Sequence, residues 1–332
     1  MEAYIKAISY YLPEKVLTNE ELVKEFPEWS VEKVSSKIGI SRRHIAAPNE
    51  TAGDMAFKAA NKLFEENNIN PANIDFMMLC TQSPDYFLPS TACILQDRLN
   101  IPTSTGALDF NLGCSGYIYG LALAKGLIVS EIARNVLLLT SETYTKHLHS
   151  KDKGNRTIFG DAAAATLVSA DGFARIGEFI LGTDGIGAQN LITKTGAFRQ
   201  KESSGECIYD ENGNPISDDF LYMNGSEIFS FTQSVVPEMV NNLLVKHKLN
   251  KDEINLFIFH QANKYMLNFL RKKIGINEES FYYFMDNVGN TVSSTIPIAL
   301  LEAHKSGDLK GKVMLSGFGV GYSWGGTILE IV

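Results

Sequence analysis

The run Gly106-Ala-Leu-Asp-Phe-Asn-Leu-Gly-Cys-Ser-Gly-Tyr-Ile-Tyr-Gly120 decides how this chain folds. Ala107, Leu108 and Phe110 read as a short strand, Gly113 permits a tight turn, and the residues from Cys114 to about Val129 read as a helix. Tyr117, Ile118, Leu121, Leu123, Leu127, Ile128 and Val129 make that helix apolar on every side, so it is expected to run through a core. Cys114 then falls in the first helical turn, where unpaired N–H groups and the helix dipole favour thiolate over thiol. A buried structural cysteine has the same signature, because free cysteine is among the most buried residue types. The nucleophile reading therefore depends on partners elsewhere in the chain.

Outward from this run, strands alternate with helices, the mark of an α/β architecture with covered sheets. The first half reads as a strand at 3–10, a helix at 52–66, a strand at 75–82, a helix at 90–99, the Cys114 strand and helix, and a strand at 135–141. The second half reads as a helix at 225–246, a strand at 255–259, helices at 262–273 and 293–305, and a strand at 313–316. Phe159-Gly-Asp leads into a strand at 163–169, and Phe318-Gly-Val leads into one at 327–332. These matching ends predict an internal duplication, with halves at 1–172 and 173–332. Between 196 and 220 the chain is polar and rich in turn formers, and a loop of that length is expected to form a lid over the site.

The 332 residues are 45% apolar, enough for a sizeable core, and carry a net charge of −8, which argues against nucleic acid or anionic lipid as partners. No apolar run approaches the length of a membrane span, and the N-terminus lacks the order of a signal peptide, so a cytoplasmic location is expected. Cys80, Cys93, Cys114 and Cys207 have no C-x-x-C spacing and are expected as reduced thiols.

A cysteine nucleophile needs groups that handle charge on the substrate. His44, His147, His149, His247 and His304 lie in polar surroundings and read as solvated, and His147 and His149 lack a nearby third metal ligand. His260 instead ends the apolar strand Leu256-Phe-Ile-Phe, at a carboxyl end of the kind where α/β sheets bind ligands. Asn290, in Asp286-Asn-Val-Gly-Asn-Thr-Val-Ser-Ser-Thr295, either caps the following helix or donates its amide to a carbonyl oxygen. Gly317-Phe-Gly-Val-Gly-Tyr-Ser-Trp-Gly-Gly326 offers backbone N–H groups for an oxyanion hole with the N–H of Cys114. Within it, Gly321-Tyr-Ser-Trp-Gly325 matches the hydrolase elbow G-x-S-x-G, but a strand follows where that motif requires a helix, so Ser323 reads as structural.

Taken together, Gly39-Ile-Ser-Arg-Arg-His-Ile-Ala46, Asn111-Leu-Gly-Cys-Ser-Gly116, Phe159-Gly-Asp-Ala-Ala-Ala-Ala165, His260-Gln-Ala-Asn263, Gly289-Asn-Thr291 and Gly319-Val-Gly-Tyr-Ser-Trp-Gly325 resemble the β-ketoacyl-acyl carrier protein synthase III family over essentially the whole chain. The resemblance implies a thiolase-like fold of two duplicated halves with central mixed sheets and buried helices between them. It also implies a homodimer and a triad of Cys114, His260 and Asn290. In the implied reaction an acyl group passes from a coenzyme A or carrier thioester to Cys114. A malonyl-acyl carrier protein then loses carbon dioxide and attacks the acyl-enzyme, with His260 and Asn290 donating to the thioester oxygen. No metal or bound cofactor is implied. Leu88 matches a position that gates the acyl pocket from the partner subunit, and Lys153, Arg156, Gly225, Lys264, Gly319, Val320 and Gly321 are the other expected substrate contacts.

The sequence also departs from the family pattern. Lys33 stands where a tryptophan usually stacks on adenine, with Trp29 displaced from that position. Lys153 replaces a nucleotide-binding arginine, for which Arg156 is a substitute, and Tyr265 replaces an arginine implicated in carrier docking. An acyl carrier protein thus rivals coenzyme A as donor. Lys264, Arg271 and Lys272, at i, i+7 and i+8, predict a basic helix face for that acidic partner. A thiolase would use a second cysteine near the C-terminus, and a hydroxymethylglutaryl synthase a glutamate where this chain has Gln82. Acyl transfer to an oxygen or nitrogen acceptor, in secondary-metabolite or surface-polysaccharide synthesis, is the alternative activity. A noncatalytic scaffold is disfavoured by the intact triad.

Overall fold

The computed structural model describes residues 1–211 and 213–332, and among these nine strands form one mixed sheet. In chain order they are β1 (Tyr4–Tyr11), β2 (Phe76–Cys80), β3 (Gly106–Phe110), β4 (Asn135–Glu142), β5 (Ala162–Ser169), β6 (Ala174–Thr183), β7 (Leu256–Phe259), β8 (Lys312–Gly319) and β9 (Ser323–Ile331). Their spatial order is β7-β8-β9-β6-β1-β5-β4-β2-β3. Outward from the centre, β1 pairs antiparallel with β5 and β5 with β4, after which β2 and β3 follow in parallel. On the other side β6 pairs antiparallel with β9 and β9 with β8, after which β7 follows in parallel. A counterpart of β3 survives there as a single parallel bridge from Phe257 to Phe281.

The two half-sheets meet at a short seam in which Tyr4 faces Arg175 and Ile5 faces Ala174. The expected pair of sheets is therefore one sheet, continuous through that seam. The repeated succession of strand directions supports the duplicated halves, 1–172 and 173–332, that we propose. Strand β6 has no counterpart in the sequence expectations. Its burial alternates at Ala174 and Ile176 and then fades towards exposed Leu181, so no sustained period announces it.

Helices Gly116–Val129 and Thr295–Lys305 share one apolar core, where Tyr117, Ile118 and Leu121 meet Ile296, Ala299 and Leu300 between the two halves. Helix Ala52–Asn67 covers the first half from the other side, and helices Gly225–His247 and Lys264–Ile274 cover the second. Two expectations about the Cys114 helix need correction. Its first residue is Gly116, with Ser115 at the N-cap, so Cys114 lies in the turn before the helix. Nor is the helix buried all round, since Leu123 is 48% and Val129 47% exposed. Ala124 and Ile128 of the same stretch are fully buried, so only one side of the far half faces outward.

A small hairpin of Lys15–Thr18 with Arg42–Ile45 is anchored by Arg43, whose side chain is fully buried. Its guanidinium donates to Leu17 O (3.2 Å), Asn19 Oδ1 (2.9 Å), Ile40 O (3.4 Å) and Thr157 O (2.7 Å). Burial pulls its pKa down to about 10. The bond to Thr157 ties this hairpin to the segment that precedes β5. We expect Arg43→Met to leave those acceptors unsatisfied and to cost about 3 kcal/mol, read as a lower urea midpoint at unchanged m-value.

Candidate active site

Cys114 sits between the end of β3 and its helix, 8% exposed. The end of β8 packs directly against it. A Cβ on Gly319 would stand 2.9 Å from Cys114 Cβ and 3.1 Å from its Sγ, and one on Gly317 would stand 2.9 Å from the Cys114 carbonyl oxygen. Only glycine allows so close an approach at these two positions. Ser323 makes a hydroxyl–hydroxyl hydrogen bond with Ser115 and opens strand β9, so its place is structural. Cys114 also belongs to an apolar cluster with Tyr144, Leu148, Phe159, Leu191, Leu221 and Val292, against which Val320 packs.

His260 follows β7 immediately, and its N–H donates to Ser316 O at 2.7 Å, extending the pairing with β8. Its ring lies edge-on to Phe318, the neighbour of Gly319, with centroids 5.7 Å apart. Asn290 is zipped onto the 158–160 segment: its N–H donates to Ile158 O (2.9 Å), and its carbonyl accepts from Gly160 N–H (3.0 Å). Asn290 does not cap the following helix, which begins at Thr295 with Ser294 at the N-cap. Its Oδ1 instead accepts from Val292 N–H at 2.9 Å, which leaves the amide NH₂ as the free end of the side chain.

Val292 joins all three residues. It touches the Cys114 cluster, its N–H orients Asn290, and its carbonyl accepts from Thr295 Oγ1 (3.0 Å), which contacts His260 Nδ1 (2.7 Å). It does so at φ +57°, a left-handed conformation rare for a β-branched residue. Neither Val292 nor Thr295 has a periodicity or spacing signal in the sequence. The only hint is the hydroxyl-rich run after Gly289.

Burial dominates the electrostatics. It pushes the Cys114 thiol up to about 12, with the Glu142 carboxylate adding to the rise, so the expected thiolate-favouring effect of the helix terminus does not prevail. Burial likewise lowers His260 to about 3, against a smaller opposing pull from the Val292 carbonyl. Burial thus favours the neutral form of both groups. Glu142, fully buried at the end of β4, is itself raised to about 8 by burial. It accepts from Gln82 N–H (2.8 Å) and Ser83 Oγ (3.0 Å). Ser83 Oγ also lies 3.5 Å from His147 Nε2, so His147 is half-buried against the site, not solvated as its sequence context suggested.

A cavity of about 760 Å³ approaches this cluster, sharing Leu221 and Met223 with it and lined also by Gly225, His149, Asp210 and Asp218. Part of its wall comes from the 196–220 loop, in which Asn212 lies outside the described residues. Lys153 pairs with Glu28, and Arg156 with Glu25 (2.6 Å), both cations flanking the ring of buried Phe26. Leu88 is 80% exposed and far from burial within its own chain. Lys264 opens its helix and lies over Gly39. The expected basic face loses Arg271, which is tucked under the helix and bonded to Ile276 O (3.2 Å) and Glu278 (3.3 Å).

Two family models match the chain. Residues 108–185 fit 3-oxoacyl-[acyl-carrier-protein] synthase III, and residues 244–331 fit the C-terminal part of the same enzyme. A β-ketoacyl-[acyl-carrier-protein] synthase III of Clostridium perfringens is 35% identical over 97% of each chain. Among solved structures, a 3-oxoacyl-(acyl-carrier-protein) synthase III is 50% identical with TM-score 0.97, covering 100% of both chains. A 3-oxoacyl-(acyl-carrier protein) synthase from Burkholderia xenovorans is 36% identical with TM-score 0.91, over 100% of this chain and 94% of its own.

Native Glu142 holds its proton up to about pH 8, whereas an ordinary glutamate loses it near 4.5. Between those values the folded state binds the extra proton, so this group's contribution to stability falls as pH rises and is fully lost above about 8. Glu142→Gln is therefore expected to raise the urea midpoint relative to the parent at alkaline pH and to leave it nearly unchanged in mild acid.

Proposed function

Because the chain belongs to the β-ketoacyl-acyl carrier protein synthase III family of thiolase-fold condensing enzymes, we propose that Cys114 is its nucleophile and that His260 and Asn290 complete the site. The enzyme is an acyltransferase acting on acyl thioesters. The observation that carries the assignment of residues is their convergence on Val292, from three separate segments of chain.

In this reading Cys114 attacks the thioester carbonyl and retains the acyl group. A malonyl thioester then loses carbon dioxide, and its negative charge collects on an oxygen facing the Asn290 amide and His260. The resulting carbanion attacks the acyl-enzyme. Fixed donors in a dry site stabilise that charge better than water does, because they need no reorganisation as it forms. The chemistry asks for neither a metal nor a bound cofactor.

Glu25 and Glu28 bear on the donor. They neutralise the two cations expected to hold a nucleotide, and Phe26 lies against both. The phosphates of coenzyme A would have to compete with those carboxylates. We therefore read the donor as an acyl group on a carrier protein, recruited by the exposed Lys272 and Lys273 together with Lys264. The protein is read as a homodimer on three observations: strand β3 is an open sheet edge, Leu123 and Val129 are exposed, and so are Phe87 and Leu88.

Intact-mass measurement with acyl-carrier and acyl-coenzyme A thioesters of matched length tests the chemistry. We expect an adduct that Cys114→Ala abolishes, carbon dioxide release on adding malonyl carrier, and kcat/KM roughly tenfold higher with the carrier-borne donor. Equal rates with both donors would sink the donor reading alone. Light scattering at micromolar concentration is expected to give a dimer, shifted towards monomer by Leu108→Asp on the open edge.

A further inference from the structure

We propose that Thr295 is a positioning residue that holds His260 as the Nδ1–H tautomer, so that Nε2 is a bare base ready to take the proton of Cys114. This rests on the reading of Cys114 as nucleophile. The hydroxyl of Thr295 lies between two groups, His260 Nδ1 at 2.7 Å and Val292 O at 3.0 Å. In one arrangement Nδ1–H donates to Oγ1 while Oγ1–H donates to Val292 O, and both contacts are hydrogen bonds. In the other, Oγ1–H donates to Nδ1, and the contact with Val292 O has no proton. Val292 O also accepts from the backbone N–H of Thr295. The first arrangement makes one bond more, in a site where His260 and Thr295 are 2% and 3% exposed and water offers little compensation. Among the described residues, the side-chain hydrogen-bond partner of the ring lies at Nδ1.

The site needs that tautomer. Its thiol is buried and protonated at rest, so a base must remove the proton as sulphur attacks. In the acylation step the S–H bond of Cys114 breaks and an N–H bond forms at Nε2. Sulphur bonds to the thioester carbonyl carbon, and the departing thiolate takes the proton back from Nε2. Condensation consumes one proton overall, since carbon dioxide leaves and Cys114 must be restored as a thiol. With the negative malonyl carboxylate bound nearby to favour the charged ring, Nε2 takes that proton from solvent, donates a hydrogen bond to the malonyl thioester oxygen while charge develops there, and passes the proton to the sulphur as it leaves. Throughout, Nδ1–H stays on Thr295, so the ring keeps its place while Nε2 is used twice.

The experiment combines nitrogen NMR of isotope-labelled histidine with the acylation assay, on the full chain and on Thr295→Val and Thr295→Ser. His260 is assigned from the signal that His260→Gln removes. The parent is expected to show protonated Nδ1 and bare Nε2. Thr295→Val is expected to lose that preference and to acylate roughly tenfold more slowly at unchanged apparent affinity, and Thr295→Ser to restore both. A parent spectrum with protonated Nε2 would overturn the proposal, as would a folded Thr295→Val of unaltered tautomer and rate. Should Thr295→Val fail to fold, the parent spectrum and the serine variant decide. If no thioester acylates the parent, the nucleophile reading fails, while the spectrum still reports the tautomer.

Discussion

The left-handed backbone at Val292 is the constraint on which the site depends. A valine at φ +57° is held there only because its surroundings determine it from several sides. Its N–H is taken by Asn290 and its carbonyl by Thr295, while its side chain fills the cluster around Cys114. Relaxing that one residue would turn the Asn290 amide, release the histidine ring and open a gap beside the sulphur. The three groups we propose as reacting lie in segments about 30 and 150 residues apart in sequence, and the Val292 turn contacts all three segments.

Around that turn the fold supplies two kinds of support. The Gly317–Gly319 stretch closes on Cys114 with no side chains between, while Phe318 braces the histidine ring from the same strand. Arg43 reaches from a peripheral hairpin to Thr157, adjoining the segment on which Asn290 is zipped. Burial that makes this assembly rigid also makes it dry, and dryness sets the protonation states. Burial disfavours charge on both groups, raising the Cys114 thiol and lowering the His260 imidazole.

Much of this was legible in the sequence. An apolar strand running into Cys114, another ending at His260 and the Gly289-Asn290 loop are local patterns, and local patterns survive without coordinates. Element boundaries followed to within a few residues wherever hydrophobic periodicity was sustained. Strand β6 was not legible, because its glycines and fading alternation remove the period-two signal. Arg271 read as part of a basic face by helical spacing alone, yet its side chain curls beneath the helix to Glu278, a choice that spacing does not encode.

By itself, the sequence determined the α/β class, the succession of motifs and the three side chains we propose as the reacting groups, because each is written in neighbouring residues. Only the tertiary structure decided how those side chains behave. Whether Cys114 is a thiol or thiolate depends on how completely distant segments exclude water from it. Whether Lys153 and Arg156 can serve a nucleotide depends on Glu25 and Glu28, more than a hundred residues earlier in the chain. The tautomer of His260 depends on a hydroxyl that reaches it only after the chain has closed. Solvent exclusion and long-range pairing are properties of the assembled fold, and no short stretch of sequence carries them.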